Sequence, residues 1–170
     1  LRWYGPQVQS GSTQIITTPT PNGKNEVDCY IELKMRGYSL SGSSSTFHSI
    51  ELHANSINGN KIGSTSSWTG NGLRTIAGSI SGTDLNSNGN NFFISNLSSD
   101  NNSSPLIDFF TMKYGRKLVF NDKQLDFYSP VENTSLRFNF HNELPENVNI
   151  FDISNSRSPK RISIKDQLYI

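Results

Sequence analysis

Apolar and polar residues alternate with a period of two along much of this chain, and the wider spacing of an amphipathic helix is nearly absent. The clearest run is 27–35, where Val27, Cys29, Ile31, Leu33 and Met35 interleave with Asp28, Tyr30, Glu32 and Lys34, predicting a strand with one buried and one wet face. The same alternation marks 48–53. The run 57–62 contains Asn58-Gly59-Asn60, the chemistry of a tight hairpin turn. Further strands are expected at 73–80, 91–97, 106–114, 117–120, 124–128, 136–140, 148–153 and 161–164. Short strands at such spacing, separated by Ser, Asn, Thr and Gly, predict an all-β fold: a jelly-roll-like β-sandwich, mostly antiparallel, with a small C-terminal strand pair. Segments 17–25, 39–45 and 98–104 read as exposed loops, with 39–45, rich in Ser and Gly, a mobile tip. A seam near 142–145 divides a sandwich domain, 1–142, from a short strand segment, 143–170, that leads into a missing downstream domain.

Composition adjusts this picture in a few places. Hydrophobic residues make up only 33% of the 170, yet ten Phe and six Tyr concentrate apolar area enough for one core. The net charge of +1 comes from scattered charges, which disfavours nucleic acid and a polybasic membrane anchor. No apolar run approaches the roughly 20 residues of a membrane-spanning helix. Leu1 is neither an initiator Met nor the start of a signal peptide, and the last residues stop in apolar alternation, so an excised fragment is expected.

Candidate chemistry is sparse. Cys29 shares the inward phase of Val27 and Ile31 and reads as an inert core cysteine, not a nucleophile. His48 and His53, five apart on a strand, face opposite sides and cannot clip one metal; His141 stands alone at a strand end. No Gly-x-Ser-x-Gly elbow exists. Glu51, Glu132, Glu143 and Glu146 could supply a glycosidase carboxylate pair, but solvation explains them. Asp84-Leu85-Asn86-Ser87-Asn88-Gly89 fits the first half of a calcium loop, but Ser95 stands where the bidentate Glu belongs, so Asp84, Asn86 and Asn88 are read as a turn without calcium dependence. No cofactor is expected. Asn96, Asn101, Asn102 and Asn133 begin glycosylation sequons, which point to exposed loops. Trp3 and Trp68 lie in polar surroundings where an indole could stack on a sugar, though capping a core edge is the commoner use.

From Leu106 the chain reads Leu-Ile-Asp-Phe-Phe-Thr-Met-Lys-Tyr-Gly-Arg-Lys-Leu, then Gln124-Leu125-Asp126-Phe127-Tyr128-Ser129-Pro130. This resembles the L-D-Y-I-x-L-x-Y-x-R-x-L stretch and short strand that precede the catalytic domain in PorU-like sortases of the type IX secretion system, a gingipain-type cysteine peptidase family. Val148-Asn149-Ile150-Phe151-Asp152-Ile153 with Ser158-Pro159-Lys160-Arg161-Ile162 is similar to the family's V-W-D-V-T-D-P-x-x-P-x-x-I segment, and Arg2-Trp3-Tyr4-Gly5 to its opening R-W-[FY]-G. Phe151 replaces a frequent Trp, and Ser154 to Ser156 replace Thr-Asp-Pro.

The resemblance implies a parent peptidase at the outer membrane or cell surface that removes a sorting signal from cargo and attaches the cargo to lipopolysaccharide. Its catalytic His and Cys would lie beyond residue 170, so no catalytic residue carries over and the fragment is expected not to be an enzyme. The expected role is a scaffold that docks the downstream peptidase domain of the same chain, with secreted cargo proteins as a further partner and Phe151 and Ile153 as docking candidates. The alternative is a carbohydrate-binding or adhesin-like module that holds cell-surface glycan.

Overall fold

The computed structural model of the chain describes residues 5–120, 124–126 and 138–162. It forms two compact units, Leu1–Lys117 and Leu118–Ile170. The chain thus divides after Lys117, whereas the sequence places its division after residue 142.

The first unit is a β-sandwich. One sheet has five strands, in the order β1 (Thr13–Thr18), β7 (Asn90–Asn96), β3 (Phe47–Ala54), β4 (Asn60–Lys61), with β5 (Ser66–Thr69) also on β3; the other runs β6 (Leu73–Ile80), β2 (Cys29–Arg36), β8 (Leu106–Lys113). Every pairing is antiparallel, and the chain crosses repeatedly between the sheets as in a jelly roll.

Alternation decides what lies between the sheets. Cys29, Ile31, Leu33 and Met35 of β2 meet Ile50, Leu52 and Ala54 of β3 and Phe92 and Ile94 of β7 in one buried cluster. The rings of Phe92 and Phe110 touch across it, centroids 4.9 Å apart. Each fully buried Leu, Ile, Met or Phe side chain here stabilises the fold by roughly 1.5–3 kcal/mol. On the opposite face of β2, Lys34 lies over Phe109 and Lys113 over Tyr30. These are cross-strand pairs that spend no core volume.

Several details depart from the sequence reading. Val27 is 42% exposed, because the strand begins only at Cys29. The hairpin after β3 reverses over residues 55–59, with Asn55 at φ 69°, and Asn60 and Lys61 pair back, followed by a bond from the Ile62 N–H to the Leu52 carbonyl. Strands β1 and β5 carry no alternation that could announce them: Ile15 and Ile16 are adjacent, and β5 is Ser-Ser-Trp-Thr. The loops at 39–45 and 98–104 are not wholly exposed, since Ser39, Ser98, Ser103 and Ser104 are buried and Ser39 bridges to Ser103. Asn96 is likewise buried, so its sequon does not mark an exposed loop; Asn133 lies outside the described residues.

In the second unit, β9 (Ile150–Asp152) pairs antiparallel with β10 (Lys160–Ile162). The strands expected at 117–120 and 136–140 reduce, among the described residues, to a single bridge between Leu118 and Phe140; 124–126 is not a strand, and 127–128 and 163–164 lie outside the described residues.

Candidate functional site

The most reactive-looking constellation is one the sequence does not announce. His48 points inward from β3, and its Nδ1 lies 2.8 Å from Ser103 Oγ, the spacing of a nucleophile and its base. Both residues are fully buried. Asn96 Nδ2 donates to the same Ser103 oxygen at 3.0 Å, and the ring of Trp68 lies against His48 with centroids 4.9 Å apart. A hydroxyl sealed in this way cannot reach a substrate. The pair is a structural polar network that ties the 98–104 loop to β3 and β7.

Trp68, 5% exposed, is thus a core residue and not a sugar-stacking platform; Trp3 lies outside the described residues. Neither Trp68 Nε1 nor His48 Nε2 has a hydrogen-bond partner in the protein. Burial lowers the His48 pKa, against smaller opposing effects of the Asp100 charge and the Gly70 backbone. The neutral ring is the folded form. The unfolded chain therefore takes up the proton first as pH falls below about 6.5, and stability is lost from there downward by at most about 1.4 kcal/mol per pH unit. Urea midpoints measured between pH 7.5 and 5 should fall in the wild type and stay nearly level in His48→Gln. The carboxylates Glu51 and Asp100, held below their ordinary values by hydrogen bonds, act only at lower pH.

The remaining candidates lie apart. Cys29 is buried, and desolvation pushes its pKa up to about 11, so it stays a thiol. Glu51 on β3 faces the opposite way from His48, and its Oε1 accepts from Lys61 Nζ and Thr65 Oγ1. His53 shares that outer face, with Nε2 3.6 Å from Glu51 Oε2. Glu143, Glu146 and His141 are exposed, and Glu132 lies outside the described residues. In the 84–89 segment Asp84 Oδ2 accepts from Asn60 Nδ2 and Asn86 Oδ1 accepts from the Asn88 backbone, so side chains read as possible ligands are used in a turn. Among the described residues no three metal-ligating side chains converge, and no helix is long and apolar enough to cross a membrane.

In the second unit Phe151 and Ile153 are 53% and 58% exposed. The β9–β10 turn is built by Asp152, whose Oδ1 accepts from the backbone N–H and hydroxyl of Ser154. Beside it opens a groove of about 550 Å³ lined by Phe120, Leu125, Phe140, Val148 and Phe151 among others.

No protein-family model matches the chain, nor does any curated protein sequence. A solved structure does: dimeric latent PorU from Porphyromonas gingivalis, at 14% identity and a TM-score of 0.56, covering 77% of this chain. The chain shares its fold with part of PorU. It spans only 13% of that PorU chain. A second solved structure, the C-terminal domain of the sugar-binding protein EclA, aligns over 66% of this chain and 72% of its own at 14% identity, with a TM-score of 0.42.

Proposed function

We propose that this chain is a non-catalytic β-sandwich accessory region of a gingipain-like cysteine peptidase of the type IX secretion sortase kind, outside the cytoplasm at the cell surface or outer membrane. It docks the downstream peptidase domain and gathers secreted cargo. The observation that carries the reading is the uncovered apolar surface at β9, where Phe151 and, just beyond the strand, Ile153 face solvent beside the groove. A two-stranded ribbon is marginal alone in water, and chains usually cover such edges. The sequence resemblance running from Leu106 to Ile162 and the fold shared with PorU support the same reading.

The test is Phe151→Asp in the full-length protein. Cargo processing should drop about tenfold or more, since a charge forced into an apolar inter-domain surface loses its solvation. The melting temperature of residues 1–170 should stay unchanged, because Phe151 is outside the buried core. Normal processing would refute the docking role. The alternative of a carbohydrate-binding or adhesin-like module requires a platform other than Trp68.

A further inference from the structure

Outside the core, the solvent face of the five-stranded sheet gathers polar side chains from strands far apart in sequence. Cross-strand register sets Thr13 beside Ser95 and Ser95 beside Glu51; next to that row it sets Ile15 beside Phe93 and Phe93 beside His53. The turn after β3 brings Ile57 and Asn58 over the same face. Thr13, Glu51, His53, Ile57, Asn58 and Ser95 border a depression of about 390 Å³, closed at its other end by Gly11, Ser12 and Leu97. Such a volume suits a small ligand.

Its chemistry narrows the ligand. The one carboxylate, Glu51, is already neutralised by Lys61, so the site offers an anion no uncommitted cation and offers a cation little net charge. His53 Nδ1 contacts the Ile57 carbonyl, which can only accept, so Nδ1 carries the proton. Its Nε2 lies 3.6 Å from Glu51 Oε2, beyond hydrogen-bond distance. A ligand hydroxyl, which both donates and accepts, would bond each of these two atoms at ordinary hydrogen-bond distance. Around them stand the hydroxyls of Thr13 and Ser95, bonded to each other at 2.9 Å, and the exposed Asn58 amide; Ile57 and Leu97 add apolar walls. Paired donors and acceptors with small apolar patches match one ligand class.

We infer that this outer-face depression binds a neutral sugar, with Glu51 Oε2 and His53 Nε2 hydrogen-bonded to ring hydroxyls and Asn58 contacting the rim. The inference is independent of the docking role proposed for the second unit.

The experiment is a nitrogen-15 NMR titration of the 170-residue chain with methyl glycosides of galactose, mannose and N-acetylglucosamine, with glycerol and N-acetylneuraminic acid as controls. At least one neutral glycoside should shift the amides of Glu51, His53, Asn58 and Ser95 with a Kd on the order of 1 mM, as expected for a ligand of about a dozen heavy atoms. Glu51→Gln and, separately, Asn58→Ala should weaken that binding about tenfold in chains whose amide spectra away from this face are unchanged. No shift on this face at 50 mM (about fifty times that Kd) would overturn the proposal. So would equal shifts from glycerol, meaning an adventitious additive only, a preference for the anionic sugar, or full binding in both variants.

Discussion

Replacing Asn96 with Ala should cost about 3–5 kcal/mol of stability, the sum of several buried polar groups left without partners. The side chain is buried at the end of β7, where Nδ2 donates to the Val8 carbonyl at 2.8 Å and to Ser103 Oγ at 3.0 Å, and Oδ1 accepts from the Ser98 backbone at 3.0 Å. Truncation strands the Val8 carbonyl and the Ser98 N–H in a region that water does not reach. Against a total of about 5–15 kcal/mol for a typical domain, such a loss lowers the urea midpoint severely. Ser103→Ala is the contrast. It leaves the Asn96 bonds to Val8 and Ser98 and strands only the His48 Nδ1, so it should cost less, about 1–3 kcal/mol. Equal losses in the two variants would show that Asn96 does not hold the network together.

Gly37→Ala should be comparably damaging, by overpacking. A Cβ on Gly37 would sit 2.0 Å from the Gly70 carbonyl oxygen and 2.7 Å from Trp68 Nε1. The first contact is with backbone, so relief requires moving a strand connection or driving the indole outward. The expected loss is about 3 kcal/mol or more, at the upper end for overpacked sites. Fluorescence in a Trp3→Phe background reports Trp68 alone, and its emission should shift to the red as the ring meets water. An unshifted spectrum with unchanged stability would mean the connection at Gly70 yields freely.

The uneven legibility of this fold has physical causes. Strand β6 spans the residues expected for it, 73–80, and β2 and β3 were visible because each buries every second side chain against a facing sheet. Val27 was misread because periodicity says nothing about where pairing starts. Strands β1 and β5 escaped since their Thr and Ser hydroxyls satisfy neighbours on the outer face and leave no apolar rhythm. The His48, Asn96 and Ser103 network was beyond reach because its members lie up to 88 residues from their partners. The outer-face depression is hidden for the same reason, since β1, β3 and β7 must be assembled before Thr13, Glu51 and Ser95 become neighbours. Phe151 and Ile153, by contrast, stood out as local apolar positions in a polar segment.

The pairing order also sets how this sandwich is made. Strand β1 finds its partner β7 82 residues later, at Thr13 and Ser95, and β2 is completed on one side only by β8. Loop-closure entropy for these pairings must be overcome before they return any contact energy, which places folding in roughly the millisecond-to-second range. During synthesis the early strands wait with open edges until residue 113 has emerged. A nascent chain interrupted before β8 would leave one edge of β2 unpaired and the core open where Ile107 closes it, so the interval before that last strand docks is when proteases and aggregation compete most effectively with folding.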